Sequence, residues 1–137
     1  MINPENVEFL DTITGPDTLA GIQQTLDKVW AAYRLPELVR MHVDLAAGEI
    51  GANIIEHAGR GRPVRLRMTV SVTTDAVVTV FTDDGHGACI DLSNPQLPED
   101  MSERGRGLAM AHRVLDELSY HRDEDGNHWR LVHRLVN

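Results

Sequence analysis

"AVVTVFTDDGHG", residues 76–87, runs from seven apolar or β-branched residues into two carboxylates and two glycines. Its first part reads as a strand, and its dense apolar content suits an interior position in a sheet. The stretch before it, "VRLRMTVSVTTD" (64–75), alternates apolar and polar residues and so reads as a strand with one buried face. A hairpin turning near Thr74–Asp75 joins the two. Asp and Gly are common in turns, so "DDGHG" alone is compatible with a surface turn. An Asp83 carboxylate at the end of a buried strand nevertheless needs a donor, and an exocyclic amine such as that of adenine is one. Gly85 and Gly87 permit positive φ and carry no Cβ, so a flat ligand could pass close to the backbone.

Outward from this hairpin the chain alternates its periods. "VEFLDTI" (7–13) reads as a short first strand. "GPDTLAGIQQTLDKVWAAYRL" (15–35) reads as a helix with Pro16 at its first position and Leu19, Ile22, Leu26, Val29, Trp30 and Tyr33 at helical spacing. Trp30 and Tyr33 are read as core. Pro36 marks a break, and "PELVRMHVDLAAGEIGANIIEHAG" (36–59) reads as a second helix ending at Gly59. Its expected core side is Leu38, Met41, Leu45, Ala46, Ile50 and Ile54.

Residues 88–104, "ACIDLSNPQLPEDMSER", hold two prolines and no sustained period, hence a long loop. "GLAMAHRVLDELSY" (107–120) reads as a third helix, with Leu108, Ala111, Val114, Leu115 and Leu118 inward. "LSYHRD", the turn "EDGN" and "HWRLVHRLV" form a closing hairpin. The order βααββ–loop–αββ implies an α+β fold, a two-layer α/β sandwich with a mixed sheet and helices on one face.

Composition narrows the class. The 137 residues suit one compact domain spanning 1–137, and 42% hydrophobic with 25% charged residues are globular values. A net charge of −8 disfavours general nucleic-acid binding. The lone Cys89 excludes an intrachain disulfide and fits a reducing compartment. "MINPENVEFLDT" has neither the basic start nor the apolar core of a signal peptide, and no apolar run approaches the roughly 20 residues of a spanning helix. A cytoplasmic protein without membrane contact is the expectation.

Two further places carry chemistry. Glu49, Asn53 and His57 follow at steps of four, each about 6 Å along a helix and about 40° around it. They therefore share a stripe beside the apolar face. The Asn amide oxygen is a hard ligand suited to Mg²⁺, and the carboxylate can orient or deprotonate a nucleophile. The same spacing also describes a solvated polar stripe with His57 favourable near a helix C-terminus. Gly48 and Gly51 cost roughly 1 kcal/mol each in mid-helix, which indicates close approach by another group or tight packing. The last place is "ERGRGLAM" (103–110). Gly105 and Gly107 before a helix would offer free backbone N–H groups to an anion. Arg104 and Arg106 could meet phosphate oxygens, or simply be solvated.

In combination the order is specific: a helix with E-x₃-N-x₃-H, a strand ending in D-x-G-x-G, a long loop, and G-x-G-L opening a helix. The chain resembles the Bergerat-fold ATP-binding domain shared by gyrase-type ATPases, histidine kinases and bacterial anti-sigma factor serine kinases. The likeness is strongest to the last of these. "EIGANIIEHA", "DDGHG" and "GRGLAMAHRVLDEL" stand for that family's three boxes, and "GNHWRLVHRL" for its final strand.

The resemblance implies ATP and Mg²⁺ as cofactors. It implies Asn53 as the Mg²⁺ ligand and Glu49 as the base that activates a serine or threonine hydroxyl. Asp83 would accept from the adenine amino group, with Gly85 and Gly87 shaping that pocket, and His57 is counted among the cofactor-binding residues. Arg104, Gly105, Arg106, Gly107 and Leu108 would form the phosphate side, and residues 88–104 the ATP lid. A sigma factor and an anti-anti-sigma (STAS-domain) protein are the implied partners, with a homodimer admitted.

Departures from the family pattern are Ala88 in place of a frequent Phe, Asp84 in place of a frequent Asn, and lid acids Asp91, Glu99, Asp100 and Glu103. Asp84 is expected to add negative charge near a polyanionic ligand. A second reading is a non-catalytic module that binds nucleotide while trapping a partner. A third, the catalytic half of a histidine kinase, leaves no space before the Glu49 helix for a helical hairpin bearing a phosphoacceptor. A plain α/β scaffold would have to explain three correctly ordered sites.

Overall fold

The computed structural model describes residues 7–87 and 103–135, without the side chains of residues 103–105. The elements follow the expected order: β1 (Val7–Ile13), α1 (Thr18–Ala32), α2 (Glu37–Asn53), β2 (Arg65–Val72), β3 (Ala76–Asp83), α3 (Glu103–Val114), β4 (Glu117–Asp123) and β5 (Gly126–Arg134). The strands form one sheet in the order β1-β2-β3-β5-β4.

Every neighbouring pair is antiparallel, so the sheet is not mixed as expected. The reason lies in the connections. With two consecutive helices between β1 and β2 the chain reverses three times, so β2 returns antiparallel to β1. The single helix α3 does bring β4 back parallel to β3, but β5 inserts between them.

The helices cover one face. Leu66, Met68, Val70, Phe81, Trp129 and Leu131 point inward from the sheet to meet Ile22, Leu26 and Val29 of α1 and Val43, Ala46, Ala47 and Ile50 of α2. β2 shows the alternation legible in its sequence, with every second residue buried.

Three boundaries differ from expectation. α1 begins at Thr18 rather than Pro16, and the Thr18 hydroxyl accepts from Gly15 N at 2.8 Å, so the turn before it is closed by a side chain. α3 begins at Glu103 and stops at Val114, since residues 117–120 pair with β5 as strand. Regular α-helix in α2 ends at Asn53 and gives way to a π-helical turn over Ile54–Ala58.

The inward face of α2 also differs. Leu38, Met41 and Leu45 are 59%, 57% and 37% exposed, whereas Val39, Val43, Ala46, Ala47 and Ile50 are buried. Both sets fit a 3.6-residue period. The smaller one wins because α1 lies close: a Cβ on Gly51 would stand 2.5 Å from Ile22 Cδ1. Gly51 is thus a packing glycine, and Gly48 faces open space. Trp30 and Tyr33 pack at the core margin, with Trp30 Nε1 donating to Asp44 Oδ1 at 2.9 Å.

Candidate functional site

β3 carries Asp83 to the edge of the helix layer, where the end of α2, the 84–87 turn, the start of β5 and the start of α3 meet. Asp83 is 2% exposed. Its Oδ1 accepts from Asn127 Nδ2 at 2.8 Å and from Gly85 N at 2.9 Å. Its Oδ2 is buried and accepts from no described group. Burial pushes this carboxyl above the ordinary carboxylate range, and the Asn127 and Gly85 hydrogen bonds only partly restore it. A buried acceptor without a donor is costly. It is explained if a ligand supplies the N–H.

That acceptor borders a cavity of about 300 Å³ lined by Asn53, Ile54, His57, Ala58, Gly87 and Trp129 among others. Ile54, Ala58 and the buried Trp129 give it apolar walls suited to a flat aromatic ring. A second cavity, about 440 Å³, adjoins it and shares Asn53 and His57. Its lining adds Glu49, Glu56, Arg106, Gly107 and Leu108. Asp83, Asn53 and Gly107, far apart in sequence, thus border one continuous cleft.

Gly107 sits inside α3, not before a helix as expected, so the free N–H groups of that helix belong to residues 103–106. The bare backbone at Gly107 has a different use: a Cβ there would collide with Glu49 Oε2. Leu108 is buried and is both core and cavity wall. The backbone of Arg104 and Gly105 belongs to the first turn of α3, and their side chains lie outside the described residues. The expected lid lies outside them from residue 88 to 102, with Ala88, Cys89, Asp91, Glu99 and Asp100.

The glycines of "DDGHG" act otherwise than expected. Neither Gly85 nor Gly87 has positive φ. Gly85 borders neither cavity and packs on the π-turn, where His86 N donates to Ala58 O at 2.7 Å. A Cβ on Gly85 would stand 2.5 Å from Ala58 O and 2.7 Å from Ala58 Cβ. Gly85→Ala is therefore expected to destabilise the fold by about 1–3 kcal/mol, read as a lower denaturation midpoint. Gly87 does line the smaller cavity. Asp84 accepts from Arg65 N at 2.8 Å and lines neither cavity, although its charge still adds to the upward push on the Asp83 carboxyl.

The π-turn leaves the expected stripe intact: Glu49, Asn53 and His57 all border the larger cavity, and Asn53 and His57 border the smaller one as well. Such turns recur at functional sites.

Asn127 escaped the sequence reading, which saw "EDGN" as a turn. It stands opposite Asp83 in the β3–β5 register and ties the site together. Its Nδ2 also donates to His86 O at 2.9 Å, while Arg122 donates to Asn127 Oδ1 at 3.0 Å and to Gly85 O at 2.9 Å. Only sheet register reveals this partnership. Glu56 was missed too. With Glu49 and Asn53 it gives the larger cavity three hard oxygen-donor side chains, beside Arg106, among the described residues. That donor set fits a polyanion accompanied by a hard divalent cation better than a bare anion.

The histidine kinase-like ATPase domain profile matches residues 14–133 of the chain. No curated protein matches the sequence. Among solved structures, the chain is similar to the histidine kinase domain from Erythrobacter litoralis EL346 blue-light activated histidine kinase. The TM-score is 0.57 at 18% identity, over 83% of this chain and 61% of that one. The chain therefore spans about three-fifths of that neighbour, and at this identity the likeness speaks to fold. With a family match over most of the chain, and a cleft whose buried Asp83 oxygen awaits a donor, the protein belongs to the histidine kinase-like ATPase domain family, in which ATP is the bound nucleotide.

Proposed function

We propose that this chain is a protein serine/threonine kinase and anti-sigma factor, which sequesters a sigma factor and phosphorylates an anti-anti-sigma STAS-domain protein in a partner-switching pathway. The observation that carries the catalytic part is the placement of Glu49 and Asn53, one helical turn apart, along the larger cavity, with Asp83 lining the adjoining one. In this reading adenine occupies the smaller cavity with its amino group on Asp83. The triphosphate extends past Asn53 toward Arg106 and Gly107.

Asn53 would hold Mg²⁺, which supplies charge neutralisation to the phosphates. Glu49 takes the proton from the acceptor hydroxyl as its oxygen bonds to the γ-phosphorus. The bond from that phosphorus to the bridging oxygen breaks, and ADP leaves. Placing the base on a helix, braced against the Gly107 backbone, limits its freedom and orients it.

The partner assignment rests on the resemblance of "EIGANIIEHA", "DDGHG" and "GRGLAMAHRVLDEL" to the anti-sigma serine kinases. It is tested by incubating the chain with γ-labelled ATP, Mg²⁺ and a panel of STAS-domain proteins. Expected is acid-stable label on a serine or threonine of one of them, and a complex with a sigma factor that this transfer dissolves. Nucleotide binding without label on any acceptor would replace the kinase with a non-catalytic sequestering module. Acid-labile label would indicate phosphohistidine chemistry instead.

A further inference from the structure

The sheet face opposite the helices holds a second cluster, unconnected with the nucleotide reading. His121 of β4 and His128 of β5 are directly opposite in the antiparallel register. Their rings stack with centroids 4.7 Å apart and planes 17° apart. Asp123, two residues along β4 on the same face, reaches both: its Oδ1 is 2.8 Å from His128 Nε2 and its Oδ2 is 3.7 Å from His121 Nε2. One ligand atom from each residue lies within 4.8 Å of the others.

We propose that His121, Asp123 and His128 form a binding site for a borderline divalent transition ion, Zn²⁺ foremost, that clamps the end of the β4–β5 hairpin. Two ligands about 2.0–2.1 Å from a tetrahedral zinc ion stand about 3.3 Å apart. The 2.8 and 3.7 Å separations are to the two different oxygens of Asp123, and with one ligand atom from each residue the set spans up to 4.8 Å, so the three must close by roughly 1 Å or a little more to reach that spacing. His121 is exposed, so its ring can turn to close the remaining gap.

The His128 ring is also held from behind. Its Nδ1 lies 3.3 Å from Thr82 Oγ1, across the β3–β5 register. A hydroxyl can accept as well as donate. With Nδ1–H donating to Thr82, the Nε2 lone pair is left for the ion, the outer-shell arrangement common to metal-bound histidine. Two imidazoles and one carboxylate favour Zn²⁺, Co²⁺ or Ni²⁺ over Mg²⁺ or Ca²⁺, and a water would complete the shell.

The location gives the ion a structural purpose. The hairpin end contains Gly126, at φ 123° directly beneath the Asp83 carbonyl, and Asn127, which bonds Asp83 from the opposite face of the same strand. An ion there would tie β4 to β5 beside that contact.

The test is calorimetric titration of the full chain with Zn²⁺ in a phosphate-free buffer without nucleotide, supported by the absorption spectrum of the Co²⁺ form. Expected is one ion per chain, with affinity reduced at least about tenfold by His121→Ala and by Asp123→Asn. Both side chains are exposed, so both variants should keep the wild-type circular dichroism. His42→Ala, which alters another histidine, should leave the affinity unchanged. Absence of stoichiometric binding, or a smaller loss in either of the first two variants, overturns the proposal. Nucleotide binding is measured separately and bears only on the ATP reading.

Discussion

Glu49→Gln is expected to lower phosphoryl transfer to a protein hydroxyl by about 10²–10⁴-fold, the usual contribution of a positioned general base. Nucleotide affinity should stay near wild type. Glutamine keeps the shape that fits against Gly107, where the carboxylate fills the space a Cβ would need, so the fold should not suffer. It cannot accept the proton. Because the smaller cavity does not include Glu49, adenine recognition should not register the change. Single-turnover transfer measured beside equilibrium ATP binding separates the two effects. Equal transfer by both proteins would remove Glu49 from the chemistry, and parallel loss of binding would reassign it to holding Mg²⁺.

Asp83→Asn should move function and stability in opposite directions. The Asn side chain can still accept from Asn127 and from Gly85 N through its carbonyl oxygen, preserving the contacts that Oδ1 makes. Its NH₂ then faces the cavity where Oδ2 was an acceptor, so an adenine amino group meets a donor. Loss of a hydrogen bond to a charged group is worth about 1.5–3 kcal/mol, hence an expected fall in ATP affinity of about tenfold to a hundredfold. The empty protein should gain, since a buried, half-paired carboxylate is replaced by a neutral group.

The pH dependence of that gain has a definite sign. Burial raises the folded-state pKa of Asp83 above its unfolded value. Below the unfolded value both states are protonated and wild type carries no penalty. As pH rises through the folded value the folded form must hold the charge, and stability is lost. Asn has no such dependence. The stability advantage of Asp83→Asn, on the order of 1 kcal/mol at neutral pH, should therefore shrink toward zero in acid. Denaturant midpoints at several pH values read it directly, and an advantage that grows in acid would contradict the burial argument.

The bounds of β1, the β2–β3 hairpin, the element order and the three boxes were legible because each is a local property. Side-chain alternation, turn residues and helical spacing all act within about ten residues. The candidate cleft was legible in the same way: Glu49, Asn53, Asp83 and Gly107 could be named before any contact was known.

What chain-local patterns could not decide was which of two equally periodic faces of α2 turns inward. Leu38, Met41 and Leu45 are the more hydrophobic set, yet close approach of α1 at Gly51 selects the small residues. Nor could they distinguish a glycine needed for φ from one needed for contact, as at Gly85 against Ala58. The same limit hid the π-turn at the end of α2.

By itself, then, the sequence determined the elements, their order and the kinds of side chain available for chemistry. The tertiary structure decided partnership. Asn127 meets Asp83, and His121 meets His128 and Asp123, only because strand register brings them opposite or alongside one another. Register is a long-range property, set by the packing of the whole sheet against its helices, and no local window contains it.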